Sequence, residues 1–121
     1  MNDYPELDIE AALSFVNAGV EIIKYVREVN SINQFTAWKD DFIPTGIALV
    51  HSELSEMLEE FRMSKPGDPV SAHFIEEMAD VIIRMFDIAS SNDCARTMLS
   101  AVVRKAMYNS TRGVRHGGKR I

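Results

Sequence analysis

The sequence predicts an all-α protein, a single domain over residues 1–121 built as a four-helix bundle. Three observations carry that prediction. Apolar residues recur at i, i+3, i+4 and i+7 along most of the 121 residues, which is the period of an amphipathic helix. No stretch alternates apolar and polar residues as a half-buried strand does. Strong stop signals cut the helical pattern into pieces joined by short connections, as a bundle requires.

The first helix is expected from about Asp8 to Asn30. Ile9, Leu13, Val16, Val20 and Ile23 form its stripe, and Ala12, Phe15, Ile22 and Val26 widen it. Asp8 suits the N-cap, where a short side-chain oxygen accepts a free backbone N–H. Gly19 lowers helix propensity and is expected where a neighbouring helix comes close. Residues 31–44, SINQFTAWKDDFIP, lack a period and read as a loop or short broken helix carrying Trp38 and Phe35. A second helix follows from about Thr45 to Ser64, stopped by KPGDP at residues 65–69. Asp68 as N-cap and Pro69 at the first helical position would open a third helix, reaching about Ser90. SSND, residues 90–93, is a short connection in which Asn92 or Asp93 would cap a fourth helix from Cys94 to about Ser110. Gly113, Gly117 and Gly118 mark a loose basic tail, about residues 111–121. There is no internal repeat and no low-complexity stretch.

Composition bounds the class. Apolar residues make up 46 % of the chain, enough to drive folding. No run of about 18 apolar residues occurs, so a membrane span is not expected. The opening MNDYPELDIE has no basic region followed by an apolar one, so no secretory signal is expected. Cys94 is the single cysteine, and no disulfide can form within the chain. Together these point to a cytoplasmic protein.

The net charge of −5 is unevenly spread. Residues 1–93 hold all 18 acids and 6 basic residues, a balance of −12, while residues 94–121 hold 7 basic residues and no acid. A solvated tail that balances the body is the plain explanation. A nucleic-acid arm using Arg112, Arg115, Lys119 and Arg120 is disfavoured, because the acidic body would repel phosphates.

The acids themselves are patterned. HSELSEMLEEF, residues 51–61, sets Glu53 and Glu56 three residues apart. IEEMADVIIRM, residues 75–85, does the same with Glu77 and Asp80. At about 100° per residue, Ile47, Val50, Leu54, Met57, Leu58 and Phe61 share one arc of the second helix, and Glu53, Glu56 and Glu60 border it. On the third helix Phe74, Ile75, Met78, Val81, Ile82, Met85 and Phe86 cover most of the circumference, leaving Glu77, Asp80, Arg84 and Asp87 on a narrow stripe. A helix so apolar is expected to be buried on most sides, with its acids against another helix. Two like charges about 4 Å apart repel by roughly 4 kcal/mol at an effective dielectric of 20, and Arg84 alone cannot offset several such pairs. A divalent cation would, and hard carboxylate oxygens suit Mg²⁺ or Mn²⁺. The competing explanation is a solvated face, since either short pattern alone is common on helix surfaces. Histidine sites fit poorly. His51, His73 and His116 form no Glu-x-x-His pair of the kind a di-iron bundle uses.

At these residues the chain resembles a known family. HSELSEMLEEFR (51–62), EEMADVIIRMFDIA (76–89) and KAMYNSTRGVRHGGKRI (105–121) are similar to the MazG-like nucleoside triphosphate pyrophosphohydrolases, all-α enzymes grouped with the dimeric dUTPase-like and dCTPase-like enzymes. The likeness covers roughly residues 43–121. It implies a MazG-type protomer that assembles as a homodimer or homotetramer, with sites near subunit interfaces. It implies Mg²⁺, with Mn²⁺ as substitute, on Glu53, Glu56, Glu77 and Asp80. It implies that Lys105, Asn109 and Arg112 contact the phosphates, that Glu53 or Glu56, Glu53 by preference, acts as general base, and that Trp38 stacks on the base. The expected reaction hydrolyses a (deoxy)nucleoside triphosphate to monophosphate and pyrophosphate as nucleotide-pool house-cleaning, with a tilt to pyrimidine deoxynucleotides. Ser52 stands where some relatives carry a further acid, and Glu59 and Glu60 are the nearby acids that would substitute. The readings from other classes are a non-catalytic helical interaction module and a nucleic-acid-binding bundle.

Overall fold

The computed structural model describes residues 8–31 and 42–112. Those residues form four helices, α1 (Ile9–Ser31), α2 (Phe42–Met63), α3 (Ala72–Ser91) and α4 (Ala95–Thr111). No strand occurs among them, and none of their helices is long and apolar enough to cross a membrane. Phe35, Trp38 and the tail beyond Arg112 lie outside the described residues.

Local chemistry sets the helix ends. Asp8 caps α1 as expected, with its Oδ1 accepting the Ala11 N–H at 3.0 Å. α2 begins three residues earlier than the sequence pattern suggests, at Phe42. Pro44 then falls in its first turn, where the missing N–H costs nothing. α3 begins later than expected. Asp68 and Pro69 are not its cap; Ser71 is, accepting the Phe74 N–H at 3.0 Å. Asp68 instead closes a turn onto Lys65 O at 3.1 Å, and Gly67 supplies its positive φ of 87°. Asn92 and Asp93 do not cap α4. Asn92 closes α3 by donating Nδ2 to Ile88 O at 2.8 Å. Asp93 takes a left-handed φ of 52°, which lets Cys94 N–H reach Ala89 O at 2.8 Å. Cys94 occupies the N-cap of α4 without a side-chain bond.

The helices pack as two pairs. α1 lies on α4, and Val16, Ile23 and Leu99 bury together between them, with Val20, Phe86, Ala95 and Met98 around. Gly19 permits this approach: a Cβ there would sit 2.8 Å from both Leu99 methyl carbons. Of the expected α1 stripe, Ile9 and Leu13 remain exposed. α3 is the central element, touching α1, α2 and α4, whereas α2 packs on α3 alone among the described residues.

The α2–α3 pair is inverted relative to α1–α4. Glu77 and Asp87 are buried, at 5 % and 4 % accessibility. On the same hairpin Ile47, Leu54, Leu58 and Phe61 of α2 and Ile75, Met78, Ile82 and Met85 of α3 are all exposed, Leu58 at 49 % and Ile82 at 45 %. The expectation that α3 is buried on most sides therefore fails for the single chain. Glu77 and Arg84 of its polar stripe face α2, Asp87 turns to α1, and Ile75, Met78, Ile82 and Met85 are left exposed.

Candidate metal centre

α2 and α3 run antiparallel. Glu53, midway along α2, meets Arg84, while Glu60, further along, meets Ser71 at the start of α3. This register sets Glu53 and Glu56, one turn apart on α2, against Glu77 of α3. Each of the three offers a carboxylate oxygen, and these oxygens all lie within 4.8 Å of one another. A single cation can be reached by all three.

Glu77 is the centre of the group. Its Oε1 stands 3.2 Å from His73 Nε2, one turn back on α3. Its Oε2 is buried and accepts no hydrogen bond, although it belongs to a side chain set among carboxylates. A buried acceptor without a donor is costly, and such a group is satisfied by a proton or by a cation. Hydrogen bonding to Glu53, then burial, then hydrogen bonding to Glu56, push the Glu77 carboxyl up to about 7 from its ordinary 4.5. The same hydrogen bond from Glu77, helped by Arg84, holds Glu53 below its usual range. His73 is raised, chiefly by its bond to Glu76. The donor set of hard oxygens and the orphaned Glu77 Oε2 both fit Mg²⁺ or Mn²⁺.

Asp80, expected as the fourth ligand, contributes no oxygen to the group and is exposed. Helix geometry explains this. At 100° per residue, Asp80 is rotated about 60° from Glu77, whereas Arg84, seven residues on, is within about 20°. Arg84 therefore takes the place beside Glu53, donating Nη2 at 3.1 Å and Nε at 3.4 Å to Oε1. Neither Glu59 nor Glu60 joins the group. Glu60 accepts the Ser71 hydroxyl at 3.1 Å, and Glu59 pairs with Arg62 on the surface.

Sequence reasoning missed three contacts. The Arg84–Glu53 pair was signalled by the seven-residue spacing of Arg84 from Glu77. The His73–Glu77 contact was signalled by an i, i+4 spacing. The third is a separate joint between α3 and α1, where Asp87 accepts Asn30 Nδ2 at 3.4 Å and faces Arg27 Nε at 3.7 Å. Burial raises the Asp87 carboxyl, against the pull of Arg27.

Lys105, Asn109 and Arg112 are exposed on the last turns of α4. Lys105 and Arg112 both lie over the Tyr108 ring, 5.2 and 5.5 Å from its centroid. α4 packs on α1 and α3 and nowhere approaches α2 among the described residues. The chain by itself does not gather these three residues with the α2 acids. No family model, no curated protein and no solved structure matches the chain.

Proposed function

We propose that the protein is a Mg²⁺-dependent hydrolase that splits a (deoxy)nucleoside triphosphate into its monophosphate and pyrophosphate, assembled from at least two copies of the chain. The observation that carries this reading is the Glu53–Glu56–Glu77 group with its buried, donorless Glu77 Oε2. The resemblance of residues 51–62, 76–89 and 105–121 to MazG-like enzymes supplies the substrate class. Glu53, Glu56 and Glu77 hold the ion, and Asp80, one turn from Glu77, joins them when α3 or its side chains adjust to the charge. Held by these carboxylates, Mg²⁺ would supply a lowered pKa for an attacking water and screening of the phosphate oxygens. Glu53 or Glu56 takes the water's proton, Glu53 by preference. Lys105, Asn109 and Arg112 neutralise the triphosphate, and Trp38 stacks on the base.

Assembly follows from two features. The apolar side of α2–α3 is open along both helices, and a second copy offers the same surface in self-complementary form. Among the described residues α4 does not pack on α2 of its own chain, and in this reading a neighbouring copy supplies these cations to each acid group.

The test is pyrophosphate release from a panel of common and modified NTPs and dNTPs, with Mg²⁺ and with EDTA, for wild type and Glu53→Gln. The expected result is Mg²⁺-dependent release that Glu53→Gln abolishes while its helical circular dichroism persists. Absence of release from every nucleotide, with Mg²⁺ or Mn²⁺, contradicts the enzyme reading. The open apolar side of α2–α3 would then favour a helical interaction module.

A further inference from the structure

We propose that Arg84 is a polyphosphate-binding residue that rests on Glu53 in the metal-free chain and is released to the substrate when a divalent cation takes the acid group. This extends the nucleotide reading above and rests on it. Arg84 gives Nη2 and Nε to a single oxygen, Glu53 Oε1, so it does not form the two-oxygen fork that makes an arginine–carboxylate pair strong. Its side chain keeps 29 % of its surface, against 13 % for Glu53, so water and ligand reach it.

The same carboxylate is claimed twice. Glu53 belongs to the group whose oxygens converge within 4.8 Å, and a doubly charged ion drawn to that carboxylate weakens its hold on the guanidinium. Once displaced, Arg84 has one open carboxylate on its own helix, Asp80 four residues back, and in the reading above that carboxylate turns to the same ion. Asp87, three residues on, is already engaged by Asn30 and Arg27. Glu77 is enclosed in the acid group itself. The freed guanidinium, with its planar fork of N–H donors next to the acid group, would then be available to phosphate oxygens, which it matches two at a time. Arg84 thus offsets the Glu53 charge alone before the ion binds and supplies a phosphate contact afterwards.

A clasp is the opposing possibility: Arg84 stays on Glu53 and merely positions it as a ligand. The two differ in sign. Mn²⁺ affinity is measured without nucleotide for wild type, Arg84→Met and Arg84→Lys. Affinity for an α,β-methylene deoxynucleoside triphosphate, which cannot be split at that bond, is then measured at saturating Mn²⁺. Circular dichroism checks that each variant is folded, and Arg84→Lys keeps the charge if Arg84→Met does not fold. A competitor's removal should tighten Mn²⁺ binding in Arg84→Met about two- to fivefold. Loss of a charged phosphate contact should weaken the nucleotide about tenfold or more. Arg84→Lys should fall between wild type and Arg84→Met on both. Weaker Mn²⁺ binding in Arg84→Met, or equal nucleotide affinity at saturating Mn²⁺, overturns the proposal while leaving the nucleotide reading intact. Wild type that binds Mn²⁺ but no nucleotide overturns both.

Discussion

The α1–α4 pair and the α2–α3 pair are made from similar helices and solve opposite problems. Between α1 and α4 lie Val16, Ile23 and Leu99, with Gly19 letting the helices close. Between α2 and α3 lie Glu53 and Glu77, while Leu54, Leu58, Ile75 and Ile82 point outward. The first arrangement puts apolar area in its seam, although Leu13, Phe15 and Ile22 of α1 stay exposed on its outer side. The second places repelling groups inside and apolar ones outside, an order that a lone chain selected for stability would reverse. Under the proposed function it would become favourable with a cation in the seam and a second copy on the outer face.

The largest effect should separate the pairs by stability. Leu99→Ala removes the centre of the α1–α4 seam and should cost about 3 kcal/mol in urea unfolding, with Mn²⁺ affinity preserved. If Leu99→Ala abolished cation binding instead, the two pairs would not be separate in purpose.

Next is the cation. Mg²⁺ at about 100 times its dissociation constant adds about 2.7 kcal/mol and should raise the melting temperature on the order of 10 °C. Glu77→Gln should lose that rise and, in EDTA, melt no lower than wild type, because it removes a carboxyl that is costly without its ion. Differential scanning calorimetry of both proteins, with and without Mg²⁺, reads this directly.

A smaller effect is in pH. The folded Glu77 carboxyl sits at about 7, above its ordinary 4.5, so between those values the folded chain binds more protons than the unfolded one. Its contribution is present below 4.5 and is lost as pH rises through about 7. His73, also raised, acts in the same direction. The metal-free melting temperature should therefore fall from pH 5.5 to pH 8, and the fall should shrink in Glu77→Gln. Added Mg²⁺ should reverse it, because the ion replaces the departing proton.

The smallest effect belongs to the surface of the same hairpin. Glu59 and Arg62 are both exposed and 3.9 Å apart, and Glu59→Ala should change stability by no more than about 0.5 kcal/mol. A loss comparable to that of Leu99→Ala would mean that this face is covered in the folded protein.

Much of this architecture was readable in advance, and the failures have physical causes. The α1 cap at Asp8 and the break at KPGDP depend on local chemistry, which sequence displays directly. The start of α3 was misplaced at Asp68 and Pro69; Ser71 is also a competent cap, and its hydroxyl additionally reaches Glu60 on α2. Glu53, Glu56 and Glu77 were found because an i, i+3 spacing and a neighbouring helix suffice to bring them together. Asp80 was placed with them by the same spacing, but which of two residues one turn apart faces the partner depends on the rotation of α3, which spacing leaves open. The outward apolar face was missed because periodicity marks a stripe without saying what lies against it.

The central claim, that the α2–α3 acids exist to hold a divalent cation, is tested most directly by titrating Mn²⁺ into the metal-free protein and into Glu77→Gln at pH 7.5. Saturable binding by wild type, at least tenfold weaker in Glu77→Gln while the helices persist, is the predicted result. Equal binding by the two, or none by wild type at millimolar Mn²⁺, would contradict it.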